Sequence, residues 1–200
     1  MSCEIIRDTK CIVVATHNEH KVKELQSIFE KIELVSLKTL GYNKEIVEDG
    51  SSFFENALIK AKTIYNEYKM AVLSDDSGLC IEALNGEPGI HSARFGGDIP
   101  QSKKNELILK MVKDKKNRDA SFVCSLVLYI NERRFYIVQE ELKGEITKEA
   151  RGSNGFGYDP IFFLPDYNKT LAELDENEKN LISHRRKASN AIFAILKLLY

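Results

Sequence analysis

The chain has no internal repeat, no linker and no low-complexity tract, so its 200 residues suit a single domain, 1–200, of one or two lobes. It also lacks long apolar runs, all of which fall well short of the ~18 residues that read as a membrane span. The amino terminus, Met1 to Asp8, has no resemblance to a secretory signal. A cytoplasmic protein without membrane contact is the expectation. Charge of one sign is missing too: a formal net charge of −1 offers nucleic acid or anionic lipid no global attraction. Cysteines are few, and Cys3, Cys11, Cys80 and Cys124 show no Cys-x-x-Cys spacing. They lie mostly in apolar segments, which points to buried free thiols instead of disulfides or a zinc site. What is present is ordinary for a globular protein, 43% hydrophobic and 30% charged, and this argues against disorder.

The informative stretch is Met70 to Phe95. An apolar run of strand length, Met70 to Leu73, passes at once into Ser74-Asp75-Asp76-Ser77-Gly78. Two adjacent carboxylates cannot both be buried without counter-charge. A divalent cation would supply it, since Mg²⁺ binds through one or two carboxylates plus substrate phosphates. These residue types also favour a turn, and on this stretch alone a turn is the plainer expectation. The run continues with Gly86-Glu87-Pro88-Gly89, a rigid loop, and with Arg94, a guanidinium suited to phosphate or carboxylate.

Elsewhere, Cys11 to Ala15 reads as a buried strand, and Thr16-His17-Asn18-Glu19-His20-Lys21 joins it to a helix with apolar positions Val22, Leu25, Ile28, Phe29 and Ile32. Thr16 or Asn18 is a natural N-cap. Such a junction favours an anion, although an ordinary capped turn would look the same. Leu34 to Leu37 is a second strand, and Glu45, Glu48 and Asp49 fall in the loop after it. Ser52 and Glu55 have capping-box spacing at the start of a helix. Its core stripe runs from Phe53 or Phe54 through Ala57, Leu58, Ala61, Ile64, Tyr65 and Tyr68, and Asn56, Lys60 and Glu67 fall off it. A helix over 101–113, a solvated basic loop from Lys113 to Arg118, and a long hairpin of Ala120 to Ile130 with Phe135 to Glu141 follow. Arg151 to Pro165 alternates glycine with Asn154, Phe156 and Tyr158, a loop where backbone approaches a ligand and aromatic faces can stack on a base, or else a sheet corner. Ser183 is the expected N-cap of a terminal helix whose first turn holds His184 and Arg185.

In order along the chain stand Thr16-x-Asn18-x-x-Lys21, Phe54-Glu55-Asn56-Ala57, Ser74 to Leu79, Pro88-Gly89-x-x-Ser92-Ala93-Arg94-Phe95, Gly155 to Phe162 and Lys179-x-x-x-Ser183-His184-Arg185. This series resembles the inosine/xanthosine triphosphate pyrophosphatases over nearly the whole length. Each motif is weak alone, but six in order are specific. The resemblance implies Mg²⁺-dependent hydrolysis of non-standard purine nucleoside triphosphates (ITP, dITP and XTP) to monophosphate and pyrophosphate. It implies a homodimer and an α/β fold, a long twisted mixed sheet with flanking helices forming two lobes around a central cleft. It also implies Asp76 as proton acceptor and metal ligand, Ser77 as a substrate contact, and Thr16 to Lys21 with Lys60 on the phosphates. Phe156, Gly157, Tyr158, Asp159, Lys179, His184 and Arg185 would contact nucleotide and base. Glu48 is the best candidate for the second metal carboxylate, seven residues before Glu55 as in the family pattern, with Asp75 a further candidate. Two departures stand out: His17 replaces a frequent glycine, and Val47-Glu48-Asp49-Gly50 replaces two adjacent acids before threonine-glycine. The competing readings are a Maf-like pyrophosphatase for pyrimidine or modified nucleotides and a nucleotide-binding module without catalysis.

Overall fold

The computed structural model describes residues 11–29 and 32–199, so Cys3 lies outside the described residues. Over the described residues it is a mixed α/β fold with a seven-stranded twisted sheet and five α-helices. The early part is β1 (Cys11–Val14), α1 (Glu19–Ile28), β2 (Glu33–Ser36), α2 (Phe53–Tyr68) and β3 (Val72–Ile81). Then come α3 (Gln101–Met111), β4 (Asp119–Asn131), β5 (Arg134–Ile146), β6 (Phe162–Leu164), β7 (Lys169–Thr170), α4 (Glu176–Ile182) and α5 (His184–Leu199). The strand order is β2-β1-β3-β4-β5-β6-β7. β1 pairs in parallel with β2 and β3, and β6 pairs antiparallel with β5 and β7. No helix among the described residues is long and apolar enough to cross a membrane.

The described residues form two compact units. The first holds the chain up to Asp76, Cys124–Glu140 and Arg185 onward; the second holds Ser77–Val123 and Glu141–His184. In the first unit both faces of the strands are covered, which is why β1 reads as an unbroken apolar run. Ile12 and Val14 pack with Leu25, Leu73, Leu126, Leu128 and Ile192, on the side of α1 and α5. Val13 and Ala15 pack with Ala57, Ala61, Ile64, Val72 and Val127, on the side of α2. Alternation at period two thus puts Leu73 and Asp75 on one face of β3 and Val72, Ser74 and Asp76 on the other. The second unit has its own core, in which Leu79, Ile81, Ile108, Phe122, Ile146, Ile161, Phe162 and Leu174 meet.

Several local expectations change. Ser74 to Gly78 is not a turn but the middle of β3, because counter-charges described below let both carboxylates stay in the strand. Phe53 is the buried member of its pair and Phe54 is 41% exposed. Asn56 and Lys60, placed off the core stripe by the helical wheel, are buried. Ser52 caps α2 through the Glu55 N–H, while the Glu55 carboxylate turns back to the N–H and hydroxyl of Ser51. Ile32 follows α1 and lies outside it. β5 runs to Ile146, past Glu141. Arg118, at the end of the basic loop, is not solvated: Nε and Nη1 donate to the carbonyls of Ile146 and Val112. The terminal segment is two helices: Ser183 is the C-cap of α4 and stands directly before α5, whose first turn holds His184 and Arg185 as expected.

Candidate active site

In the first unit the junction between β1 and α1 is built by Asn18. Its Oδ1 accepts from the N–H groups of His20 (3.0 Å) and Lys21 (3.3 Å), and its own N–H donates to Thr16 Oγ1 (3.1 Å). Asn18 is therefore the N-cap, as its type favours. Two of the N–H groups that a bare helix start offers an anion are held by this side chain. His17, Asn18, Glu19 and His20 are exposed; the imidazole of His17 stacks on Tyr42 and lies 3.2 Å from the Lys44 carbonyl oxygen.

Asp75 faces α1 and α5 and has no exposed surface. It accepts from Lys21 Nζ and from Arg185 Nε (2.7 Å), and the Cys124 thiol donates to its Oδ2 at 3.3 Å. Arg185 Nη1 in turn donates to Glu24 at 2.6 Å. Two cations and two carboxylates form a chain in a dry place, where an ion pair holds only when all its charges are matched. Burial works against the Asp75 anion, but the charges of Arg185 and Lys21 outweigh it and hold the carboxyl well below its ordinary range. Burial and then the Asp75 charge push the Cys124 thiol well up, so it stays protonated and acts as a donor.

Asp76 faces α2. Lys60, in the third turn of that helix, reaches Asp76 Oδ1 at 3.1 Å and Glu48 Oε2 at 3.0 Å. One ammonium bridges two carboxylates. Burial raises the Asp76 carboxyl from its ordinary value; Lys60 and Lys21 oppose the rise and Glu48 adds to it. Lys60 itself is disfavoured as a cation by burial, yet Asp76, Glu48 and Asp75 together raise its pKa. Asp76 Oδ2 is buried and has no hydrogen-bond partner. Glu45 and Asp49 are exposed, whereas Glu48 is half-buried and turned to Lys60. Among the described residues no group of three or more His, Cys, Asp or Glu side chains is placed to hold a metal. A pair of carboxylates with one oxygen left without a hydrogen-bond partner nevertheless fits Mg²⁺, which completes its shell with water and substrate phosphate.

The second unit holds the other candidate residues. Ser77 follows on β3, half-buried, and Arg94 is exposed. Asp159 Oδ2 accepts from Lys179 Nζ (2.5 Å) and from the Phe156 N–H (2.8 Å). The same ammonium sits 4.5 Å from the centroid of the Phe156 ring, a cation–π contact. Gly155 makes this possible: it has φ +74°, and a Cβ there would come within 2.1 Å of Asp159 Oδ2. Tyr158 is buried with its hydroxyl on the Ser92 carbonyl, and that burial pushes the phenol up to about 12. His184 lies flat on Phe122, ring centroids 5.0 Å apart and planes 8° from parallel.

The structure thus groups Lys21, Asp75 and Arg185; Glu48, Lys60 and Asp76; and Phe156, Asp159 and Lys179. It separates His184 from Arg185, whose guanidinium is engaged by carboxylates of the first unit. Sequence reasoning missed Glu24 and Cys124, which complete the setting of Asp75, and Phe122, the shelf under His184. It placed the helix that is α3 but gave no role to its Lys104, whose Nζ donates to the Ala93 carbonyl (2.6 Å), or to its Asn105, whose Nδ2 donates to that of Gly157 (3.2 Å). A lone glutamate, cysteine or asparagine inside an element gives no signal of this kind without its partner.

Known proteins share this arrangement of chain. The Ham1 family model matches residues 12–195. A protein of Clostridium tetani named dITP/XTP pyrophosphatase is 47% identical over 194 residues, 94% of this chain and 96% of its own. One of the same name from Treponema denticola is 45% identical over 190 residues, 93% and 98% of the two chains. Among solved structures, the Staphylococcus aureus Ham1 protein superposes with a TM-score of 0.86 at 37% identity, covering 94% of this chain and 98% of that one. A HAM1 protein from Coxiella burnetii gives 0.86 at 39% identity with the same coverage. With its motifs in order, its sheet topology and these matches across both units, the chain belongs to the Ham1 family.

Proposed function

We propose that this protein hydrolyses non-standard purine nucleoside triphosphates, dITP, XTP and ITP, to the monophosphate and pyrophosphate. The observation that carries the reading is the Glu48–Lys60–Asp76 cluster, where one ammonium is shared by two carboxylates and a buried carboxylate oxygen is left without a partner. The names of the relatives support the substrate class. We read 1–200 as one catalytic domain, since the family match runs unbroken from 12 to 195.

In the mechanism, Asp76 Oδ2 takes a proton from a water that attacks the α-phosphorus; the bond from that phosphorus to the α,β-bridging oxygen breaks, and pyrophosphate leaves. A carboxyl raised by burial is the stronger base once ionised. Mg²⁺ held through Glu48 and Asp76 would, when bound, neutralise charge on phosphate oxygens. Lys60 bridges the two carboxylates, and Lys21 adds positive potential beside the Thr16 to Lys21 loop, where the phosphates are received. Asp75 is assigned no metal; with Lys21 and Arg185 it fixes the strand that carries Asp76. On the base side, Phe156 offers a ring for stacking, Lys179 and His184 offer donors to a 6-keto oxygen, and Ser77, Arg94, Gly157, Tyr158 and Asp159 line or support the nucleotide. A site built on a hydrogen bond rejects a base lacking its partner far better than apolar shape does.

Mg²⁺ as the required cation, a homodimeric state and a working place in the cytoplasm, where the nucleotide pool lies, complete the proposal. The test is pyrophosphate release from a panel of nucleoside triphosphates, with and without Mg²⁺. Release from dITP and XTP, little from ATP, and loss on chelation are expected; equal rates on all triphosphates, or a preference for pyrimidines, would overturn it.

A further inference from the structure

The α2 segment that carries Lys60 holds a second buried polar residue to which the mechanism gives no task. Asn56 has no exposed surface. Its Oδ1 accepts the N–H of Gly50 at 2.9 Å, which fixes the orientation of the amide. Gly50 is two residues beyond Glu48, so this bond ties down the end of the acidic loop. Asn56 and Lys60 are four residues apart, stacked on one stripe of the helix. The loop is therefore clipped twice from the same stripe, at the backbone by Asn56 and at the Glu48 carboxylate by Lys60. A third bond sets that helix against β3: Ser74 Oγ donates to the Ala57 carbonyl at 2.6 Å, two residues before Asp76 on the same face.

The approach of loop to helix is close enough to dictate residue type. Gly50 is not in the left-handed region; it is glycine because a Cβ would stand 2.8 Å from Asn56 Oδ1 and 2.8 Å from Glu55 Cβ. The Asn56 amide nitrogen is itself buried without a partner, a cost that an apolar residue there would avoid. Neither helix propensity nor packing accounts for an asparagine at this place.

We propose that Asn56 is a positioning residue for metal binding: through Gly50 it sets the acidic loop so that the Glu48 carboxylate stands opposite Asp76. The inference rests on the reading of Glu48 and Asp76 as the carboxylates that hold the cation.

The experiment measures Mn²⁺ binding to the full-length protein by the loss of the free-ion electron paramagnetic resonance signal, beside pyrophosphate release from dITP. The variants are Asn56→Ala, Gly50→Ala and the double substitution. Gly50→Ala leaves Asn56 in place and drives the loop off it, so the test survives if Asn56→Ala does not fold. Each single variant is expected to weaken Mn²⁺ binding by about 10-fold or more, the usual effect of loosening a ligand's support. Turnover should recover at high cation concentration. The double variant should bind no worse than the weaker single one, because both break one contact. Wild-type Mn²⁺ affinity in folded Asn56→Ala or Gly50→Ala overturns the inference, as do losses that multiply in the double variant. A wild-type protein that neither binds Mn²⁺ nor releases pyrophosphate overturns the functional reading itself, and the inference with it.

Discussion

On the α1 and α5 side of β3, Asp75 meets Lys21, Arg185 and the Cys124 thiol, and Glu24 balances what remains. On the α2 side, one residue further along, Asp76 shares a single lysine with Glu48 and keeps an oxygen without a partner. The two carboxylates are chemically the same, adjacent and buried, yet their pKa values move in opposite directions. Burial raises both; at Asp75 the bonded Arg185 and Lys21 outweigh it, whereas at Asp76 only Lys60 is bonded and the Glu48 charge works with burial. In the proposed mechanism the fully matched carboxylate is a structural ion with nothing left to offer a substrate, and the under-matched one is the base and the place for a cation.

The strongest way to break this comparison is to neutralise each acid in turn and measure stability. Asp75→Asn should lose about 3–5 kcal/mol, because it takes away the buried anion that Lys21 and Arg185 both pair with. Asp76→Asn should keep or raise the melting temperature. The pH dependence carries the same contrast. The depressed carboxyl of Asp75 contributes stability above the ordinary carboxylate range, lost only as pH falls through its low folded pKa. The raised carboxyl of Asp76 contributes stability below that range, lost as pH rises through its folded pKa. Thermal melts of both variants from acid to neutral pH check both signs.

Next in size is base selection in the second unit. His184→Ala should lower kcat/KM for ITP by roughly 10-fold, about one charge-assisted or neutral hydrogen bond, and leave ATP nearly unchanged. A uniform fall on both substrates would move His184 from base to phosphate. Smaller again is the acid limb of the rate profile. Because Glu48 helps raise the Asp76 carboxyl, Glu48→Gln should move the acid limb of kcat/KM to lower pH, apart from any loss of cation affinity. An unmoved limb would dissociate the two acids. The smallest effect is expected of Cys124→Ala, which removes one weak donor among several on Asp75 and should cost about 1 kcal/mol from that bond, plus the small loss of packing, in chemical denaturation.

These contrasts were only partly legible in the chain. The β1 run, the Asn18 cap and the Ser52 start of α2 are local, and their residue types announce them. Ser74 to Gly78 misled because its residues favour turns one by one, and what holds them extended comes from Lys21 and Arg185, 54 and 110 residues from Asp75. Lys60 misled for a similar reason. A lysine off an apolar stripe is solvated unless an acid waits for it, and Glu48 and Asp76 are 12 and 16 residues away. The pairing of His184 with Arg185 in sequence hid that the chain crosses from one unit to the other between them. Charge matching over long separations is the part of a fold that composition and periodicity do not carry.

The most direct test of the account is pyrophosphate release from dITP by purified Asp76→Asn, measured on protein whose melting temperature is recorded in the same preparation. The account predicts a rate at least about 10²–10⁴-fold below wild type, the range for removal of a general base, in a protein that melts no lower than wild type. Turnover near the wild-type rate, or a loss that merely follows unfolding, would contradict it.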